Sequence, residues 1–203
     1  MLDYVVREVS TDLDTTRPSL LLRIRDAADS EAWEVFDAIY RPMVRRFALA
    51  HGIGPADADD VVQQCLAAVA KHIPSFEYDP ARGRFKGWLR TLVNNRVRNL
   101  FRDRRDRQAD THVFGREQQC EAPPEEVFER IWLEEHLWHC LRELESEVGK
   151  QTYLAYRRYV LDQRPIEEVC QELGLSRNNV YTIKWRLTER ISVRMKALLD
   201  ESY

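Results

Sequence analysis

The chain is poor in the residues that interrupt helices, with 7 glycines and 8 prolines among 203 positions. Frequent hairpin turns are thereby excluded, and an all-β reading with them. Cysteine is scarce as well. Cys65, Cys120, Cys140 and Cys170 include no Cys-x-x-Cys pair, so the common zinc-ribbon and dithiol spacings are absent. No apolar run approaches the roughly 18 residues of a membrane span. The start, MLDYVVREVSTDLD, lacks a basic segment followed by an apolar run. It does not read as a secretory signal, and the expected place is the cytoplasm, with no membrane partner. Net positive charge is missing too: the formal total is −3.

What is present is helical periodicity. Hydrophobic residues make up 44% and charged residues 32%, and the apolar ones recur mostly at spacings of three and four. Cys65, Cys140 and Cys170 fall on such apolar faces and read as buried thiols. The run His136-Leu-Trp-His139-Cys140 crowds possible metal ligands, but no second ligand cluster stands elsewhere. It reads as a core helix with two partly exposed histidines, and no metal or other cofactor is expected.

Residues 1–18 show no period and read as a tail. The first helix is expected over about 19–26, and the next after Asp29-Ser30, which supply an N-cap. That second helix carries the stripe Trp33, Phe36, Ile39/Tyr40, Met43, Phe47 and Ala50, with a kink or break expected at Pro42. A third helix is expected over about 56–72. Asp57, Asp59 and Asp60 crowd its first turn, where the dipole favours negative charge, and Pro74 stops it. Residues 75–85, SFEYDPARGRF, read as a loop.

The fourth expected helix, about 86–107, is amphipathic in an unusual way. Phe85, Trp88, Leu89, Leu92, Val93, Val97, Leu100 and Phe101 line one side. Arg82, Arg84, Lys86, Arg90, Arg96, Arg98, Arg102, Arg104, Arg105 and Arg107 crowd the rest, opposed only by Asp103 and Asp106. The segment is +8 while the remaining chain is −11. A total near zero therefore hides a strong local field, and it is local cation clusters that displace counterions from a polyanion. Ten charges of nearly one sign without an acidic ladder point to a phosphate-bearing partner.

Residues 108–124, QADTHVFGREQQCEAPP, are aperiodic and read as a flexible linker. An acidic helix follows over about 125–148, with Phe128, Trp132, Leu137, Leu141 and Leu144 inward, and another over about 151–161. Then comes PIEEVCQELGLSRNNVYTIKWRL, residues 165–187. Pro165 opens a helix, Gly174 permits the left-handed residue that ends it, and Ser176 caps the next. Val180, Ile183, Leu187 and Ile191 anchor that second helix. Arg177, Asn178, Asn179, Tyr181, Thr182, Lys184 and Arg186 face outward. Asn and Arg match the edges of A and G in the major groove, and Lys and Thr suit phosphates. This is the layout of a helix-turn-helix.

Two helical modules in this order resemble a bacterial RNA polymerase sigma factor of the extracytoplasmic-function group, in the sigma-70 superfamily. The resemblance covers about 19–200. DADDVVQQ (57–64) is similar to the family's clamp-binding helix, and GRFKGWLRTLVNNRVRNLFR (83–102) to its Phe-x-x-Trp-Leu segment and promoter helix. Both lie in region 2, and residues 165–187 resemble region 4. Gln64 and Cys65 depart from the commoner acidic and apolar residues, and Asn179-Val180-Tyr181 from the commoner Thr-Val-Lys.

The resemblance implies an all-α protein of two small helical domains, a region 2 bundle over 19–107 and a region 4 helix-turn-helix domain over 125–203. It implies a non-enzymatic initiation factor partnered by core RNA polymerase, through its clamp helices and flap, and by promoter DNA. It leaves room for a controlling anti-sigma factor. Asp60, Gln63 and Gln64 would bind polymerase. Phe76, Tyr78, Arg82, Arg84, Asn95, Arg98, Asn99 and Arg102 would serve the −10 element and its melting, with Trp88 reading as core. Arg177, Asn178, Asn179, Tyr181, Thr182, Lys184 and Arg186 would serve the −35 element. Two other readings compete. A stand-alone helix-turn-helix regulator explains 165–187 but gives the Asp60–Gln63 helix no role. A nuclease would need the Asp57, Asp59 and Asp60 cluster to be more than a helix start.

Overall fold

The computed structural model describes residues 20–76, 85–109 and 124–200. Among them there is no strand. The helices are α1 (Leu20–Arg23), α2 (Ser30–Ala50), α3 (Pro55–His72), α4 (Phe85–Ala109), α5 (Pro124–Glu147), α6 (Lys150–Tyr156), α7 (Ile166–Leu173) and α8 (Arg177–Asp200). The described chain falls into two compact units, which part within α5 between Glu135 and His136.

In the first unit, α2 starts as its sequence dictates. The Asp29 carboxylate accepts from the Ala32 amide at 3.0 Å and from Arg23 at 2.9 Å. The Arg23 bonds, and then the Ala32 amide, hold the Asp29 carboxyl below the usual carboxylate range. Helix α1 is shorter than its sequence pattern, four residues followed by turns.

Of the kink or break expected at Pro42, no break is there: α2 runs from Ser30 to Ala50 with Pro42 inside it. A mid-helix proline costs about 3 kcal/mol. Tyr40, Met43, Val44 and Phe47 beside it are all buried, each contributing about 1.5–3 kcal/mol, so packing outweighs the lost bond. Helix α3 presents Val61, Val62, Cys65 and Val69 inward, and Pro74 falls in the 3-10 turn Ile73–Ser75 that ends it. From α4 come Phe85, Leu89, Val93 and Val97.

The first half of α5 completes this core. Val127, Phe128, Ile131 and Trp132 are buried. Trp132 meets Tyr40 with ring centroids 5.4 Å apart, and Phe128 meets Phe47 edge-on at 5.7 Å. The i,i+4 spacing of Phe128 and Trp132 puts both on one face, where their rings stack.

The second unit is built on the other half of α5. Leu137, Cys140, Leu141 and Leu144 pack with Tyr156, Val160 and Leu161 and with Leu187, Ile191 and Met195 of α8. His136 and His139, expected to be partly exposed, are buried. No residue from His136 to Leu141 is exposed, whereas Arg142, Glu143, Glu145, Ser146 and Glu147 are, and His139 lies 3.4 Å from Glu143. Burial pushes both the Cys65 and the Cys140 thiols up to about 12. Cys170 is only half-buried.

Candidate nucleic-acid interface

Helix α4 sorts its polar side chains by face. Thr91, Asn95, Arg98, Asn99 and Arg102 are exposed, spaced at three and four, and so form one continuous stripe of amides and guanidiniums. Opposite it lie the buried Phe85, Leu89, Val93 and Val97. Asn94 and Arg96 sit between, half-buried.

Lys86 and Arg90, counted by sequence among the open cations, are otherwise engaged. The Lys86 ammonium pairs with Glu129 of α5 and lies 5.5 Å from the centroid of the Trp132 ring. Arg90 approaches the same carboxylate at 3.9 Å. One turn on, Glu134 and Glu135 grip Arg46 of α2. Burial works against the Arg46 charge, and the bonds to Glu135 and Glu134 outweigh it, raising its pKa above the usual value. The acidic half-helix thus neutralises one flank of α4 and leaves the Asn95–Arg102 stripe open.

The aromatic residues at the entrance to α4 form a cluster rather than separate platforms. Phe76 lies 5.6 Å from Trp88 and 6.1 Å from Phe85, ring to ring. Trp88 also meets Phe85 at 5.7 Å and His72 at 6.4 Å. The Phe76 carbonyl accepts from Arg25. Phe76 and Trp88 are half-buried, each with part of its ring still accessible. Tyr78, Arg82 and Arg84 lie outside the described residues, as do positions 110–123 of the linker expected over 108–124; Gln108 and Ala109 instead continue α4, and Pro124 opens α5.

On α3, Asp60, Gln63, Gln64, Ala67 and Lys71 are exposed and share one face, opposite Val61, Cys65 and Val69. Asp59 points elsewhere, toward Arg45 at 2.8 Å. The acids at the start of this helix therefore divide, one in an ion pair within the unit and one on the open stripe with the glutamines.

In the second unit, α7 and α8 form the expected helix-turn-helix. Gly174 has φ 65°, the left-handed conformation that ends α7 with little steric cost. The Leu175 amide returns to the Cys170 carbonyl at 3.1 Å. Ser176 Oγ accepts from the Asn179 amide at 3.2 Å and so caps α8. Val180, Leu187 and Ile191 are buried, with Ile183 half-buried between them. Arg177, Asn178, Asn179, Tyr181, Thr182 and Arg186 are exposed, and Lys184 is half-buried. Arg177 is paired with Glu167 of α7 at 2.6 Å, so any base contact it makes must compete with that carboxylate.

Sequence reasoning missed Trp185. Its side chain is 67% exposed, more than any other large hydrophobic residue among those described, and it follows Tyr181, 50% exposed, by one turn. The signal was available: position 185 lies off the inward stripe of 180, 183, 187 and 191. With Tyr181, Lys184 and Thr188 it walls a shallow groove along α8.

Residues 38–107, about a third of the chain, match the family described as Sigma-70 region 2. No curated protein matches the chain. The matched stretch takes in most of α2, all of α3 and nearly all of α4, and therefore both the Asp60–Gln64 face and the Asn95–Arg102 stripe. Residues 38–107 are thus similar to region 2 of the sigma-70 family.

Proposed function

We propose that the chain is a transcription initiation factor of the extracytoplasmic-function kind, which binds core RNA polymerase, directs it to promoters and opens the duplex. One observation carries the reading: within the matched region 2, the exposed face of α4 is a run of Asn95, Arg98, Asn99 and Arg102 over a wholly apolar opposite face. Amides hydrogen-bond to base edges that pairing would otherwise hide, and guanidiniums take the phosphates on either side. Unstacking a base costs a few kcal/mol, and stacking returns about 1–3 kcal/mol per base. The accessible edges of Phe76 and Trp88 stand at the entrance to the helix for that purpose.

The remaining parts take complementary roles. Asp60, Gln63 and Gln64 meet the clamp helices of polymerase, and α8 reads the upstream element in duplex form. The protein acts in the cytoplasm as a binding factor with no reaction of its own. An anti-sigma factor is a natural controlling partner. Holding the DNA-facing residues on a chain of net −3 keeps affinity for free DNA low until polymerase joins the modules on one promoter.

Run-off transcription with purified core polymerase over a promoter library, read with permanganate footprinting of unpaired thymines, tests the proposal. The expected outcome is transcription from a subset of promoters, with reactive thymines in the downstream element that the Asn95→Ala, Asn99→Ala variant loses. Duplex binding without any transcription or thymine reactivity would identify a stand-alone helix-turn-helix regulator instead.

A further inference from the structure

Between α6 and α7 the chain makes a π-turn, Arg157–Leu161. Its signature is the Asp162 amide bonded to the Arg157 carbonyl at 2.8 Å, five residues back. Such turns are rare and concentrate at functional sites. This one is held from several sides. The Arg164 amide returns to the Arg158 carbonyl at 3.0 Å. Arg158 pairs with Glu172 of α7, and Arg164 reaches Glu172 at 2.8 Å and Glu168 at 3.0 Å. Gln163 is the one non-glycine residue at positive φ, 52°, among those described. A strained backbone persists only where its surroundings over-determine it, and these ion pairs do so.

Within the turn, the consecutive Val160 and Leu161 are both buried in the core of the unit. Tyr159 is only half-buried at the edge of that core. Its ring meets Tyr181 of α8 edge-to-face, with centroids 5.9 Å apart and planes at 78°. Tyr181 is itself half exposed, on the face of α8 that also carries Trp185. Tyr159 and Lys184 line one small cleft beside the turn, with Gln163 and Arg164.

We propose that Tyr159 is a positioning residue for promoter selection: through the π-turn it holds the Tyr181 ring in the orientation in which it reads the upstream element. The inference rests on the reading of α8 as the upstream recognition helix. A tyrosine on an exposed helix face swings among rotamers and loses that freedom on binding. An edge-to-face partner fixed to the core removes part of the loss beforehand, and fixes where along the groove the ring lies. Tyr159 makes no base contact in this scheme. Its effect passes through Tyr181 and is confined to the base pairs that Tyr181 touches.

The test uses holoenzyme assembled from the full chain and core polymerase, with transcripts sequenced from a library randomised across the upstream element. The variants are Tyr159→Ala, Tyr159→Leu, Tyr159→Phe, Tyr181→Ala and the Tyr159→Ala, Tyr181→Ala double. Tyr181→Ala is expected to relax selection at one or two adjacent base pairs. Tyr159→Ala and Tyr159→Leu relax the same pairs by about two- to ten-fold. Tyr159→Phe, which keeps the ring, retains wild-type selection, and the double variant matches Tyr181→Ala alone. Tyr159→Leu keeps bulk against the core, so a folding defect in the alanine variant does not decide the result.

The inference is overturned if both truncations leave those pairs unchanged, add independently to Tyr181→Ala, or lower transcription from all promoters equally. It is overturned too if Tyr181→Ala shifts no base pair while Trp185→Ala or Asn178→Ala does, which leaves the proposed function standing. Unchanged selection in every α8 variant would remove that function's upstream reading and this inference with it.

Discussion

Helices α4 and α8 are nearly equal in length, 25 and 24 residues, and each offers a polar stripe, yet they place their aromatic residues oppositely. Helix α4 keeps Phe85 buried and Trp88 half-buried, and exposes Asn95, Arg98, Asn99 and Arg102. Helix α8 exposes Tyr181 and Trp185 among its amides and cations. The difference follows from what covers each. Helix α4 packs in a bundle that supplies rings to meet its own: Phe85 meets Phe36 and Tyr40 of α2, and Trp88 meets Phe76 and His72. Helix α8 contributes Val180, Leu187, Ile191 and Met195 to its buried face and no aromatic ring. Aromatic content by itself therefore does not tell the helix proposed to capture bases from the one proposed to read the groove.

The largest expected effect comes from opening the aromatic core of the first unit. Trp132→Ala removes a wholly buried ring and should cost about 3–5 kcal/mol in the first unit. Cys65 and Cys140 report on the two units separately, since both thiols are buried and pushed up to about 12. Alkylation at pH 8, read peptide by peptide, should speed up by orders of magnitude at Cys65 in the variant and much less at Cys140. Equal acceleration at both would mean that the two units open together.

Next in size is the exposed ring of α8. Trp185→Ala should cost roughly 1–3 kcal/mol of discrimination within the upstream element, measured by competition between promoters, and leave thymine reactivity unchanged on promoters still bound. If it alters melting instead, the division between the two helices is wrong. Asp60→Ala with Gln63→Ala should weaken core polymerase binding about ten-fold or more, on the order of 1–2 kcal/mol for each charge-assisted or amide contact. Far-ultraviolet circular dichroism should stay unchanged, because both side chains are exposed.

A smaller effect is expected at Glu129. Glu129→Gln frees Lys86 and Arg90 from their shared carboxylate, so each gains the option of a phosphate. Holoenzyme binding to duplex promoter should then depend more steeply on salt, with the slope of log K against log salt larger by up to about 0.9 for each phosphate gained. An unchanged slope would show that Lys86 stays against Trp132 without the ion pair.

The smallest effect concerns pH. The Asp29 carboxyl is held below its ordinary range in the folded chain, so it contributes stability above its unfolded pKa, near 4. That contribution is lost as pH falls through the lower folded value. Asp29→Asn keeps a capping oxygen but removes the charge. It should lower stability most at pH 7, where the charged pair is present in full, and least at the acid end, so that the acid side of the profile below about pH 4 flattens.

The sequence determined by itself whatever local chemistry controls. Asp29 as a cap, Gly174 at positive φ, Ser176 at the start of α8 and the apolar stripes of α2, α3 and α4 are short-range features, set by backbone sterics and helical spacing. The same is true of the open stripe on α4, because Asn95, Arg98, Asn99 and Arg102 share a face in any helix. Tertiary structure decided the rest, because burial and pairing depend on distant segments. Pro42 stays inside α2 because the core beside it outweighs one missing bond. Lys86 and Arg90 leave the open field because Glu129, some forty residues along the chain, folds back onto them. His136 and His139 are buried, which their spacing on α5 alone does not require. The π-turn at Arg157–Leu161 has no short-range signature: ion pairs from Arg158 and Arg164 to Glu172 of α7 hold it, and only the packed unit brings these together.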